Sequence, residues 1–247
     1  MNKNKRDYQL IYYPESTFGG FSDIDGSIAF YMRVNALLSP SSIVLDVGCG
    51  RGKRTDDSVS IRKNLCILKG KCKKVIGLDL DENAQSNPLI DEFLLLKDNH
   101  WPLKDGSADV CICDNVIEHV EEPEMFFSEL GRVIKSDGYI CIRTPNAFSY
   151  FGILSRMLPS ERHADVVVKA QSNRKDCDIF PTLYRCNTIS KIKILLNKYG
   201  FDNCVYGYEA EPSYLSFSRA IYALGTVIHR FTPNMFKTTI FAFGKKR

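Results

Sequence analysis

The sequence predicts a doubly wound α/β fold, in which a mostly parallel sheet carries helices on both faces. Strand-like apolar runs alternate with helical patterns along the chain, which is the order typical of parallel sheets. Acids stand at the ends of three of these runs, at Asp46, Asp79 and Asp114, and a glycine-rich loop follows the first. With 44% hydrophobic and 25% charged residues, the 247-residue chain has the composition of a globular domain. We therefore predict one domain over residues 1–247.

The first half of the chain supplies four predicted strands and two helices. A leading helix over residues 24–38 is stopped by Ser39 and Pro40. A second helical pattern, "IRKNLCILK", places Ile61, Leu65 and Leu68 on one face, so we interpret the basic residues around it as the opposite, solvated face. The predicted strands are "IVLDV" (43–47), "KVIGLDL" (74–80), "EFLLL" (92–96) and "ADVCICDN" (108–115).

The second half completes the alternation. Pro123 suits the first turn of a helix, and "KSDG" (135–138) is a predicted turn before the strand "YICIRT" (139–144). A later helix is capped by Asn187 or Thr188 and closed by Gly200. The predicted final strands are "FDNCVYGY" (201–208) and "TTIFAFGKK" (238–246). The intervening segments 147–187 and 209–236 are predicted to cap the domain and contact a substrate.

The strand-end acids and the glycine loop together indicate a cationic ligand. Ligands of open α/β sheets bind beyond the carboxyl ends of the strands, so the three acids should line one crevice. A dinucleotide loop of the Gly-x-Gly-x-x-Gly type would need glycine where this chain has Lys53. The acid Asp46 would repel a pyrophosphate but attract a sulfonium or ammonium group. Asp79 can accept hydrogen bonds from ribose hydroxyls, and these features together describe S-adenosylmethionine.

Three segments, "VLDVGCGRG", "VIGLDLD" and "CDNVIEHVEEPEMFFSELGRVIKSDGYICIRTPN", resemble the Rossmann-like S-adenosylmethionine-dependent methyltransferases. The resemblance is nearest to the branch with ubiquinone-type and sugar O-methyltransferases, and it covers residues 43–146. It implies a seven-stranded sheet whose last strand is antiparallel.

The resemblance also implies roles for particular residues. Those expected at the methionine tail are Asp46, Gly48, Cys49 and Gly50. Asp79 is expected at the ribose and Leu80 at the adenine ring. Asp98 and Asn99 are alternatives for the adenine amino group, because the acid of "KDNHWPL" is displaced by one position. Asp114 and Asn115 are expected near the sulfonium and the incoming substrate.

Methyl transfer to a hydroxyl requires a base, and His119 is the predicted catalytic residue. The alternative is that His119 only packs its helix while Glu118 bonds backbone amides. His100 and His163 are the other candidates, with solvated surface positions as the simpler interpretation of each. Some relatives hold a divalent metal with an acid where this chain has Asn115; an amide is a poorer ligand, so we predict no metal.

The cysteine spacing, the net charge and the hydrophobic segments limit the partners and the cellular compartment that we expect. The nine cysteines include no Cys-x-x-Cys pair, which indicates reduced thiols and a cytoplasmic protein. A formal charge of +4 disfavours a nucleic-acid partner. We expect no signal peptide and no transmembrane segment. The aromatic segment 214–231 is interpreted as a buried lid helix, with contact to a membrane surface as the alternative.

The predicted acceptor is the hydroxyl of a small molecule or glycan, with a lipid-linked sugar as one form of it. The cap segments that would select the acceptor resemble the family least, so its identity stays open. The alternatives are methylation of nitrogen or carbon in another substrate class, and a cofactor-binding protein without catalysis.

Overall fold

The sheet confirms the predicted fold class. The structure, a computed structural model, describes residues 3–150, 152–153, 181–212 and 215–247. Seven strands lie in the order β3-β2-β1-β4-β5-β7-β6. Strands β1 to β5 pair in parallel, whereas β7 is antiparallel to both of its neighbours. The strands are β1 Ile43–Val47, β2 Lys74–Asp79, β3 Glu92–Leu95, β4 Ala108–Asp114, β5 Ile134–Pro145, β6 Phe201–Tyr208 and β7 Thr239–Lys246.

Helices cover both faces of the sheet, as predicted. Within the described ranges they are α1 Lys3–Tyr12, α2 Gly26–Ala36, α3 Ser60–Cys66, α4 Pro123–Val133, α5 Ile189–Lys198 and α6 Arg219–Phe231. One apolar core joins one sheet face to α4 and α5 through residues such as Phe127 and Leu196. A second core joins the other face to α2 through Phe30 and Val34.

Side-chain caps explain where two helices begin. Asp25 accepts hydrogen bonds from the backbone N–H groups of Ser27 and Ile28, both at 2.9 Å, and starts α2. Thr188 Oγ1 accepts from the Lys191 N–H at 3.2 Å and starts α5. Of the two predicted caps for that helix, the structure uses Thr188, because the Asn187 amide donates to Thr144 instead, at 2.6 Å.

Two local predictions were wrong. The helix α3 ends at Cys66, so Leu68 is buried beyond its end while Ile61 is exposed and does not share an apolar face with it. The predicted turn at 135–138 lies inside one long strand, β5, whose pairing with β4 shifts register between Ala108 and Val110. Asp137 has a φ of 64° there, so the backbone turns sharply without ending the strand.

The expectation that α6 is buried holds for only one side of the helix. Tyr222, Gly225 and His229 face the protein and are buried. The opposite side exposes a row of apolar residues, among them Leu224 and Phe231. No helix among the described residues has the length and hydropathy needed to cross a membrane.

The topology brings the three strand-end acids to one edge of the sheet. β1 lies between β2 and β4, with Asp46 opposite Gly77 on one side and Ile112 on the other. The chain order reverses at this point, which is where open α/β sheets form their ligand crevice.

Candidate functional site

A cavity of about 670 Å³ opens at this edge, within the range of about 300–1,000 Å³ that small-molecule and cofactor sites occupy. Every residue that the sequence assigns to the site lines this cavity: Asp46, Gly48, Cys49, Gly50, Asp79, Leu80, Asp98, Asn99, Asp114, Asn115 and His119. The geometry therefore brings the predicted set together in one place.

The glycine loop after β1 needs its glycines for two different reasons. Gly48 has a φ of 66°, and a Cβ there would lie 2.6 Å from Val116 Cγ2, so both the conformation and the space exclude a side chain. Gly50 has a φ of 56°, but a Cβ would meet no atom within 4 Å. The backbone at Gly50 thus faces open space, where a ligand can approach it closely.

The loop is held by side chains from the neighbouring strand and the turn after it. The Gly50 N–H donates to Asp79 Oδ2 at 2.8 Å, and Asp79 Oδ1 accepts from the Asp81 N–H at 3.0 Å. Asn87 donates its amide to the carbonyls of Cys49 and Gly50, at 2.9 and 3.0 Å. Sequence reasoning missed Asn87, because it belongs to no motif and lies 38 residues from its partner.

Asp46 is a strand-end acid without a cation beside it in the described residues. Its carboxyl group lies half-buried on the wall of the cavity. Burial, together with the negative charges of Asp114 and Asp79, raises its pKa from 3.8 to about 7. A positively charged ligand in the cavity would reverse this shift, because it would stabilise the carboxylate.

Asp114 has the opposite surroundings. Its side chain is 2% exposed and forms ion pairs with Arg143, at 2.6 Å, and Arg54, at 2.5 Å. The Tyr31 hydroxyl also donates to it at 2.9 Å. Burial alone would raise its pKa, but the two arginines outweigh burial and hold the pKa below its ordinary value. Asp114 therefore stabilises the wall of the cavity. Its negative charge is already neutralised by the two arginines.

The opening of the cavity presents groups suited to a nucleoside. Leu80 is 62% exposed and lines the cavity, so its side chain offers an apolar surface that a flat ligand such as a nucleobase could cover. The following residue, Asp81, is paired with Arg51 at 2.6 Å. Asp98 accepts from the His100 N–H at 2.9 Å, and the Asn99 amide donates to Glu122 at 2.9 Å. Both candidates for the adenine amino group thus remain at the cavity wall.

His119 is oriented by a backbone contact. Its Nδ1 lies 2.9 Å from the carbonyl oxygen of Pro181. A carbonyl only accepts, so Nδ1 carries the proton and the neutral ring has Nε2 as its basic nitrogen. Nε2 lies 4.0 Å from Glu118 Oε1, and Glu118 is itself fixed by the Thr144 hydroxyl at 2.9 Å.

The other sequence candidates lie away from this arrangement or outside the described residues. The His100 side chain is 73% exposed, 3.5 Å from Glu129. His163 lies outside the described residues. In the described ranges no group of three His, Cys, Asp or Glu side chains comes together as metal ligands would.

A second cavity, of about 330 Å³, adjoins the first across Asn115, which lines both. Asn115 has a φ of 58°, a left-handed conformation that asparagine tolerates better than most residues. The wall of the second cavity is polar and includes Gln9, Arg62 and Glu211. It gives the site a second compartment next to the first.

These features fit S-adenosylmethionine. The unpaired acid Asp46 suits its charged methionine portion, the open backbone at Gly50 permits close approach, and Asp79 and Leu80 suit the ribose and adenine. A glycine loop after the first strand, with acids at the ends of neighbouring strands, is the arrangement expected of a Rossmann-like methyltransferase.

Comparison with known proteins supports this class. Residues 45–142 match the family described as a methyltransferase domain. A probable S-adenosylmethionine-dependent methyltransferase of Mycolicibacterium smegmatis is 32% identical over 114 residues, covering 43% of this chain and 39% of that protein. A ubiquinone biosynthesis O-methyltransferase of Thiobacillus denitrificans is 30% identical over 135 residues, covering 54% and 56%. The chain thus spans only part of the length of these relatives.

The fold has solved counterparts. A methyltransferase from Archaeoglobus fulgidus aligns with a TM-score of 0.55 and 18% identity, covering 97% of this chain and 100% of that one. A geranyl diphosphate C-methyltransferase from Streptomyces coelicolor, solved with S-adenosyl-L-homocysteine, aligns with a TM-score of 0.54 and 11% identity, covering 89% and 75%. Residues 45–142 thus resemble a methyltransferase domain, and the fold of the chain is the one seen in these solved methyltransferases.

Proposed function

We propose that the protein transfers a methyl group from S-adenosylmethionine to a hydroxyl oxygen of a small-molecule or glycan acceptor, with His119 as the base. The observation that carries the proposal is the position of His119. Its ring is oriented by the Pro181 carbonyl, 2.9 Å from Nδ1, and the residue lines the same cavity as Asp46 and Asp79.

The chemistry divides between the cofactor and the chain. When bound, S-adenosylmethionine supplies a methyl carbon activated by its sulfonium, and the electron pair of the broken C–S bond stays on sulfur. The acceptor oxygen forms the new bond to carbon and loses its proton to His119 Nε2. Glu118, held by Thr144, provides negative charge near the ring as it becomes positive.

Two curated relatives support oxygen as the acceptor atom. One is the ubiquinone biosynthesis enzyme, and the other is a malonyl-[acyl-carrier protein] O-methyltransferase of Yersinia pestis, 26% identical over 144 residues. Their acceptors differ, which agrees with an acceptor pocket built from segments outside the shared domain.

The test uses the purified protein, methyl-labelled S-adenosylmethionine and matched acceptor pairs: catechol against aniline, and glucose against glucosamine. We expect label in the hydroxyl acceptors and none on nitrogen. Label on the amines alone would overturn the choice of oxygen, and absence of cofactor binding by titration calorimetry would overturn the proposal as a whole.

His119→Gln tests the base. We expect kcat to fall by about 10²–10⁴-fold, while the affinity for S-adenosylmethionine stays unchanged. His100→Gln is the matched control, because that side chain is exposed and does not line the cavity. Equal effects of the two substitutions would remove His119 from the mechanism.

A further inference from the structure

The outer side of α6 is an apolar surface that the rest of the described chain leaves exposed. Its members are Ile221, Leu224, Val227, Ile228 and Phe231, which we call the α6 face. Leu224 is 59% exposed and Phe231 76%. Their spacing of three or four residues puts them on one side of the helix. Large contiguous apolar patches on a protein surface mark interaction sites.

Both exposed charged residues of α6 are basic. Arg219 and Arg230, near the two ends of the helix, are both exposed. The last acid before α6 is Glu211, and no Asp or Glu follows it to the end of the chain at residue 247. An apolar stripe flanked by cations, with no acid near it in sequence, is complementary to a surface that is apolar inside and anionic outside.

The neighbouring helix α1 extends this pattern. Its Tyr8 and Tyr12 rings lie 5.7 and 5.5 Å from the Tyr222 ring on the inner side of α6. Leu10 and Ile11 of the same helix are exposed.

The length of α6 decides how it can meet a bilayer. Its 13 residues extend about 20 Å, less than the hydrocarbon thickness of about 30 Å. An amphipathic helix of this kind lies in the plane of the interface rather than across the membrane.

We propose that the α6 face docks the protein on an anionic lipid surface. Segments next to α6 border the second cavity, whose lining includes Gln9 of α1 and, before α6 in the chain, Ala210 and Glu211. Docking would bring these segments toward the membrane. The proposal concerns lipid binding alone and does not depend on the proposed methyl transfer.

The test is co-sedimentation of the full-length protein with vesicles of phosphatidylcholine alone or of an equal mixture with phosphatidylglycerol. We expect binding to the anionic vesicles that weakens at high salt, because the cations contribute through screened attraction. The paired variant Leu224→Ser, Ile228→Ser should lower the vesicle partition coefficient about tenfold or more. The paired variant Arg219→Glu, Arg230→Glu should also lower it, and should remove the preference for phosphatidylglycerol.

Ile194→Ser is the matched control, because Ile194 on α5 is also an apolar residue with 59% exposure; we expect it to bind vesicles as the native chain does. A probe independent of sedimentation is Phe231→Trp, whose emission should shift to shorter wavelength on the vesicles, whereas Trp101 is already buried.

Three results would overturn the proposal. One is equal sedimentation of the native chain and the Leu224→Ser, Ile228→Ser variant. Another is no vesicle binding together with a lower melting temperature for that variant, which would show that another part of the chain covers the face. The third is a dimer in solution that the variant dissociates, without vesicle binding, which would make a second copy the occupant.

Discussion

Asp46 and Asp114 are the same residue type in equivalent places of the sheet, but their surroundings give them different roles. They lie at or near the carboxyl ends of β1 and β4, which are adjacent, and both line the large cavity. Asp114 is held by Arg143 and Arg54 and has a lowered pKa, whereas Asp46 has a pKa raised to about 7. Asp114 therefore stabilises the folded chain through its ion pairs, whereas the carboxyl group of Asp46 would be stabilised as an anion only by a bound cationic ligand.

Asp114→Asn should give the largest effect on stability. It leaves the buried Arg143 and its neighbour Arg54 without their shared counter-charge. Removing one partner of a buried ion pair costs about 3–5 kcal/mol, so we expect the free energy of unfolding to fall by that amount in urea titrations. An unchanged midpoint would contradict the structural role of Asp114.

Asp46→Asn is the same substitution one strand away, and we expect the opposite sign. The folded protein holds a proton on Asp46 between the ordinary pKa of 3.8 and the raised pKa of about 7, whereas the unfolded chain does not. The native protein therefore loses stability as the pH rises through this window, and the loss is complete above about 7. Asparagine carries no such penalty.

We therefore expect Asp46→Asn to stabilise the free protein above that pKa by on the order of 2–4 kcal/mol, the lower value allowing for water in the cavity. Below the ordinary pKa the gain should vanish. Calorimetric titration should show a loss of affinity for S-adenosylmethionine in the same variant. A variant that is both less stable and equally able to bind would contradict the comparison.

The pH dependence of cofactor affinity sharpens the comparison without mutation. Below a pH of about 7, Asp46 is protonated in the free protein, and a cationic ligand must displace that proton. We expect Kd to rise about tenfold for each pH unit below the pKa, and proton release to appear as a buffer-dependent binding enthalpy. Asp46→Asn should abolish this dependence, whereas a dependence that survives the substitution would assign it to another group.

The sequence predicted the fold and the set of residues around the cavity because both follow from local patterns. Alternating apolar runs define the sheet, and acids at strand ends must meet at one edge. It did not distinguish Asp46 from Asp114, because Arg54 and Arg143 are 60 and 29 residues away from Asp114 and reach it only in the folded chain. The short α3 and the exposed side of α6 were mispredicted, since apolar spacing shows which face could be buried but not what covers it.

Asn87→Ala tests a residue on the scaffold side that no motif indicates. Its amide holds two carbonyls of the glycine loop, so we expect a loss of about 1–2 kcal/mol in unfolding free energy and a several-fold rise in the Kd for S-adenosylmethionine. Asn83→Ala, in the 3-10 turn just before Asn87, removes a side-chain amide that donates to Asp81 and is the control for general effects of removing an amide. If the two variants lose the same affinity, the loop does not depend on Asn87.

Leu80→Ser should have the smallest effect on stability, and it tests the ligand side of the comparison. Leu80 is 62% exposed, so removing its side chain should change the unfolding free energy by less than about 0.5 kcal/mol. If adenine packs on it, the Kd for S-adenosylmethionine should nevertheless rise about three- to tenfold, while affinity for methionine alone stays unchanged. Exposed apolar residues elsewhere, such as Met32, should affect neither quantity when replaced by serine. We expect Leu80→Ser to weaken binding without lowering stability and Asp114→Asn to lower stability. This contrast would show that Leu80 contributes to ligand binding and Asp114 to the stability of the fold.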